Sequence, residues 1–192
     1  MAAYDDALSV REARARYFAS NGFGDGGYDA KWVKLALGPI PLAFPNSAAR
    51  VRAVRLHDLH HVATGYDTSV LGEAQIGAWE IGGSCRGFVA AWVLNLYAMM
   101  LGFWVDPRAV YRAFVRGRHT HNLYSGEWDE ALLEKRVGAM REQLRLAAPA
   151  TAATPADRVA FVGWSLASAG LSLATTALAL APFVWLVRAL AA

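Results

Sequence analysis

The chain has 192 residues, 18% of them charged, with Lys+Arg 19 against Asp+Glu 16 and a formal net charge of +3. That length suits one sizeable core and excludes two comfortable domains, and charges this nearly balanced, with no long block of one sign, argue against nucleic acid as a partner. The single cysteine, Cys85, excludes an internal disulfide, and lysine is confined to Lys31, Lys34 and Lys135, a usage that points to a bacterial genome rich in G and C.

The first residues carry Asp5 and Asp6 where an export signal needs positive charge, so the folded part is expected in the cytoplasm. Leu8, Ala15, Tyr17 and Phe18 mark an amphipathic helix that stops at SNGFGDGG, where Asn and Gly supply a left-handed end. In WVKLALGPIPLAFPNS, Pro39, Pro41 and Pro45 rule out a continuous helix and predict an extended connector or short β excursion. Asn46 or Ser47 then caps the next helix, which has no breaker from Ala48 to about Ala63.

That helix carries His57, His60 and His61, three of the chain's 5 histidines. His57 and His61 leave one face about 6 Å apart along the axis, so two imidazoles can reach one ion. Asp58, about 100° round the helix, can reach the same ion from the flank or orient an imidazole. TGYDTSVLGE turns at Gly65 and restarts with Asp67 or Thr68 as cap, which puts Glu73 in the first turns of the next helix. Antiparallel packing across so short a loop brings Glu73 back to the level of His61. Two imidazoles with carboxylates suit zinc, iron or another divalent first-row ion; the alternative is two half-buried histidines paired with Asp58 and Glu73 without any ion. His57, His60 and His61 also spell the H-x-x-H-H of a desaturase histidine box, but such sites need several further boxes, and only His119 and His121 remain.

The order H-D-x-x-H, eleven residues, then E, met by His57, Asp58, His61 and Glu73, resembles the metal motif of the coenzyme Q (ubiquinone) biosynthesis protein 4 family. The likeness continues in HHVATGYDTSVLGE, upstream in YFASNGF, and downstream in VRGRHTHNLYSGEWDEALLEKRVGAMREQL with Trp128 and Asp129, covering about residues 10–146. It implies an all-α fold: a single helical domain, residues 1–146, with the motif on a helix-turn-helix at a membrane surface. It implies His57, Asp58, His61 and Glu73 as metal ligands and catalytic residues, with zinc as the first cofactor expectation and iron or cobalt as alternatives. The implied reaction is a decarboxylation coupled to hydroxylation at ring carbon 1 of a polyprenylated hydroxybenzoate, a lyase-type step in ubiquinone biosynthesis. Zinc has no redox chemistry, so the oxidative part would need iron, cobalt, dioxygen or a partner enzyme. The competing class is a non-catalytic scaffold that binds prenyl-quinone lipid and organises other quinone-biosynthesis enzymes. A metal-dependent hydrolase of a lipid phosphate would need more ligands or a second metal. His60, one residue before His61, faces elsewhere.

FVAAWVLNLYAMMLGFWV, residues 88–105, is uncharged and at the threshold length for a membrane span; Asn95 and Gly102 favour a buried core helix instead, with Trp92, Tyr97, Met99, Met100 and Trp104 as packing residues. Cys85 and Trp79 are expected only to pack. Arg116, Arg118 and His119 are candidates for an anionic head group. Residues 147–158 read as a Pro/Ala linker, and Val159–Val187, twenty-nine residues without charge, as a transmembrane helix. Ser165, Ser168, Ser172 and Thr175 form a small polar stripe suited to self-association, to a membrane partner or to plain back-bonding along the helix. The excess of arginine before the run predicts a single-pass protein of the bacterial inner membrane with its catalytic domain cytoplasmic.

Overall fold

In the computed structural model, which describes residues 4–37, 40–147 and 152–191, the chain is mostly helical, with one two-stranded hairpin. Ser9 starts α1 (Val10–Asn21) through a reciprocal capping box with Glu12, and Gly22 ends it in the left-handed region. The proline-rich stretch forms β1 (Trp32–Leu37) and β2 (Ile40–Pro45), antiparallel in a register pairing Trp32 with Pro45 and Leu37 with Ile40. A hairpin with two free edges tolerates prolines that a central strand would reject. This is the β excursion the prolines allowed and, among the described residues, the departure from an all-α fold; Pro39 lies outside them.

Ser47, not Asn46, caps α2 (Ala48–Thr64); the Asn46 amide donates instead to the carbonyls of Gly27, Tyr28 and Ala30, tying the preceding loop to the hairpin. The turn ends at Gly65, φ 78°. Neither Asp67 nor Thr68 caps α3 (Val70–Gly83): Ser69 does, while Asp67 accepts from the Ser69 backbone and Thr68 donates to Asn21. α4 (Val89–Phe103) and α5 (Pro107–His119) follow, the latter capped by Asp106 with proline in its first turn. A 3₁₀ turn (Leu123–Ser125), α6 (Ala131–Glu134) and α7 (Val137–Gln143) close the domain against α1 and α2.

Two apolar clusters result. One joins Val10, Tyr17 and Phe18 of α1 to Leu56, Leu59 and Val62 of α2 and to Leu133, Val137 and Met140. The other joins Ile76 and Trp79 of α3, Met99 of α4, and Val110 and Phe114 of α5. α3 and α5 approach so closely that a Cβ on Gly117 would lie 2.0 Å from the Trp79 carbonyl oxygen, and one on Gly82 2.3 Å from that of Phe114. Trp79 does more than pack, since its indole N–H donates to Thr120 at 2.9 Å.

α8 (Pro155–Ala191) begins four residues earlier than the expected span. Thr154 accepts from the Asp157 N–H, and the Asp157 carboxylate accepts from the Thr154 N–H, so TPAD is a helix start where the composition suggested linker; residues 148–151 of that linker lie outside the described residues. Arg118 Nε and His119 Nε2 donate to Asp157 at 3.1 and 2.9 Å, which engages two of the three residues expected at a head group in anchoring α8 instead. Phe161 then packs on Phe103, Tyr111 and Phe114, and Trp164 stacks on Trp92 at 4.7 Å. Ser168 donates to the Leu96 carbonyl, whereas Ser165 and Thr175 back-bond within α8. The long apolar part of α8 is exposed, and it is the one helix among the described residues long and apolar enough to cross a membrane.

Candidate metal centre

The centre forms where α2, from the first cluster, meets α3, from the second. The i, i+4 spacing on α2 puts His57 and His61 on one face, and the tight Gly65 turn brings the first turn of α3 alongside, as the sequence predicts. His57 Nε2 and His61 Nε2 each lie 3.4 Å from a Glu73 carboxylate oxygen and 3.1 Å from one another. Ligand atoms of His57, His61 and Glu73 all fall within 4.8 Å of one another, a group able to hold one ion.

The outer nitrogens decide what the inner ones can do. His61 Nδ1 lies 2.9 Å from the Tyr66 carbonyl oxygen, which can only accept, so Nδ1 carries the hydrogen and Nε2 of the neutral ring carries the lone pair. His57 Nδ1 donates to Glu80 Oε1 at 2.8 Å, with the same result. Two lone pairs and a carboxylate thus point at one small volume, an arrangement that repels itself unless a proton or a metal ion lies between them. The residues fit a divalent ion, and the Nδ1 partners are the supports that fix imidazole ligands in metal sites.

Glu80 is the residue the sequence reading missed. It is fully buried, and it accepts from His57 and His60 on one oxygen and from Asn95 and Tyr124 on the other. His60 Nε2 accepts the Leu123 N–H at 2.9 Å, so His60 is neutral with its hydrogen on Nδ1, directed at Glu80. Burial lowers its pKa further. His60 therefore touches neither the inner volume nor its mouth; it braces the carboxylate that braces His57. Burial alone would raise the Glu80 pKa, but His57 and His60 outweigh it and hold the carboxylate ionised. A glutamate inside the apolar run IGAWEIGG, two helical turns after Glu73, was the available signal, because such a group is buried only with partners.

Asp58 stands outside the three-residue group. It is buried, accepts from the Tyr28 hydroxyl, and has its pKa raised by burial against the opposing pull of Tyr28, His57 and His61. Tyr17 stacks on the His61 ring at 5.2 Å and closes that side, while the Glu73 side chain, 40% exposed, marks the open side. Trp128 packs between the guanidinium groups of Arg14 and Arg55, away from the inner volume. Cys85 is buried with its thiol pKa pushed up by burial and by Glu80, the condition of a structural cysteine. Comparison with protein-family models, curated proteins and solved structures finds no match to this chain.

Proposed function

We propose that this chain is a membrane-anchored, metal-dependent enzyme of ubiquinone biosynthesis that replaces the ring-carbon-1 carboxyl group of a polyprenylated hydroxybenzoate with a hydroxyl. The observation that carries it is the convergence of the His57 and His61 lone pairs on the Glu73 carboxylate, in the H-D-x-x-H, eleven, E order that resembles the coenzyme Q biosynthesis protein 4 family. Three protein ligands are the number found in catalytic rather than closed structural sites, since they leave coordination positions for a substrate oxygen. Two imidazoles and one carboxylate accommodate zinc and equally iron. When bound, a divalent ion would supply Lewis acidity toward the ring carboxylate or phenol oxygen; the carboxyl group leaves as carbon dioxide, and the incoming hydroxyl requires dioxygen or a partner enzyme as the oxidant, which a redox-active ion would engage and zinc would not.

The chain's own residues prepare that chemistry. Glu80 and the Tyr66 carbonyl hold both imidazoles in the ligating tautomer; Tyr17 and the Asp58–Tyr28 pair wall the site. Exposure of Glu73 gives a planar ring one side of approach. α8 keeps the domain where a prenylated substrate dissolves. Lipid extracts of a strain lacking the gene test the reading: a prenylated hydroxybenzoate should accumulate and return to product on complementation, and unchanged quinones would overturn it. One observation favours the scaffold alternative, in which prenyl lipid is held for other quinone-biosynthesis enzymes: the ligands bridge the joint between two core clusters, where an ion would brace α2 against α3. Complementation by a folded metal-free variant would favour that alternative.

A further inference from the structure

The outer face of α4 is apolar and uncovered. Ala91, Asn95, Met99 and Gly102 face the core, Trp92, Leu96 and Phe103 face α8, and the remaining arc carries Val89, Val93, Leu94, Leu101 and, just past the helix, Trp104 and Val105. Trp104 is 81% and Leu101 51% exposed, and no charge occurs between Arg86 and Asp106. A water-facing helix surface normally carries charge, so an arc this long without any calls for a covering partner.

The direction of α8 identifies the partner. Asp157 is level with Arg118 and His119 at the end of α5, and Phe161 is level with Phe114 and Tyr111 one to two turns earlier, so α8 runs antiparallel to α5 and leaves the domain past the start of α5. At that same end a Cβ on Gly102 would strike both Ala74 and Val110, which places the start of α3, the end of α4 and the start of α5 together. Glu73 precedes Ala74, so the open side of the metal centre lies at the end from which α8 departs. The packed part of α8 ends near Ser168 and Ser172; residues 173–191 span about 28 Å, close to the roughly 30 Å of a hydrocarbon core.

We propose that the outer face of α4 with the Trp104–Val105 turn is a membrane-docking surface, which seats the domain on the bilayer with the metal centre's open end toward the lipid. The occupant is the lipid interface itself: Trp104 lies at head-group level, Arg108 and Arg112 follow on α5 for the phosphates, and the apolar arc is continuous with α8. The inference rests on α8 being a membrane helix and is independent of what the metal centre does.

The test uses full-length protein in phosphatidylglycerol-containing vesicles, with an environment-sensitive fluorophore on a cysteine introduced singly as Trp104→Cys, Glu134→Cys or Leu178→Cys. All three sites are exposed, so the fold survives each change. Trp104→Cys should give blue-shifted emission, quenching by lipid-borne nitroxide and loss of quenching by aqueous iodide; Glu134→Cys on α6 should behave oppositely. If Leu178→Cys reads lipid while Trp104→Cys reads water, the docking surface is overturned and the span stands. If both read water, the span fails and the docking surface with it.

Discussion

At the residue scale, the chemistry turns on which nitrogen of each histidine is free. His61→Ala should lose the ion while the helices survive, because the ring contributes one lone pair and its backbone belongs to a well-capped helix. Metal analysis with circular dichroism checks this, and full occupancy in both His57→Ala and His61→Ala proteins would remove the site. Glu80→Gln should lower metal affinity by about 10–100-fold and stability by about 3 kcal/mol, since it takes the charge from a buried acceptor of four donors. Isothermal titration and urea denaturation separate the two effects.

The pH dependence follows from the same residues. Burial pushes the His57 pKa down, but Glu80 and Glu73 outweigh it and hold the ion-free group well above 6.5. Its proton therefore stabilises the ion-free fold fully below pH 6.5, and that contribution fades as pH rises through the raised value. A metal ion needs the same nitrogen deprotonated, so its affinity runs the other way and keeps rising above pH 6.5. The thermal shift on adding zinc should grow as pH increases over that range; a shift that stays constant would take His57 out of the ligand set.

Helix pairing sets the element scale. α3 can carry Glu73 toward α2 and Glu80 into the interior only because α5 fits against its back without side chains at Gly82 and Gly117. Gly117→Ala forces a Cβ against the Trp79 carbonyl and should cost about 1–3 kcal/mol. Gly163→Ala, with open space around it on α8, should be neutral or stabilising by up to about 1 kcal/mol. Thermal denaturation of the two variants should rank them in that order. The α4 segment shows how composition misleads at this scale: an uncharged stretch reads as a core helix, yet only one arc is covered by α3 and another by α8.

For the whole molecule, α8 packs on the fold with its first turns and leaves exposed a stretch long and apolar enough to cross a membrane. Truncation near Pro149 removes Phe161 and Trp164 and uncovers Trp92, Phe103, Tyr111 and Phe114, so the product should be less stable and prone to aggregate. Truncation after Leu173 should keep the fold. Differential scanning fluorimetry of the two products, with alkaline extraction of membranes holding the intact chain, tests the two parts: release of the intact chain at high pH would show that α8 does not span.

The sequence by itself determined what local chemistry determines: the helix around HDLHH, the glycine turn after it, the return of Glu73 to His61, the break at the prolines and the long apolar tail. Each depends on neighbours a few residues apart, on the helical period or on backbone limits of glycine and proline. Tertiary structure alone decided the rest. Asp58 and His61 both belong to the motif, but only the fold sets His61 beside His57 and Glu73 and pairs the Asp58 carboxylate with the Tyr28 hydroxyl. Glu80 gained its role from His57, His60, Asn95 and Tyr124, which arrive from three separate parts of the chain. TPAD became a helix start that Arg118 and His119 anchor, about forty residues away in sequence, so the tail leaves the packed domain as a continuation of one helix. Periodicity cannot encode such contacts, because a buried polar group is satisfied by whatever the fold brings to it, and the fold is set by the apolar surfaces that pack around it.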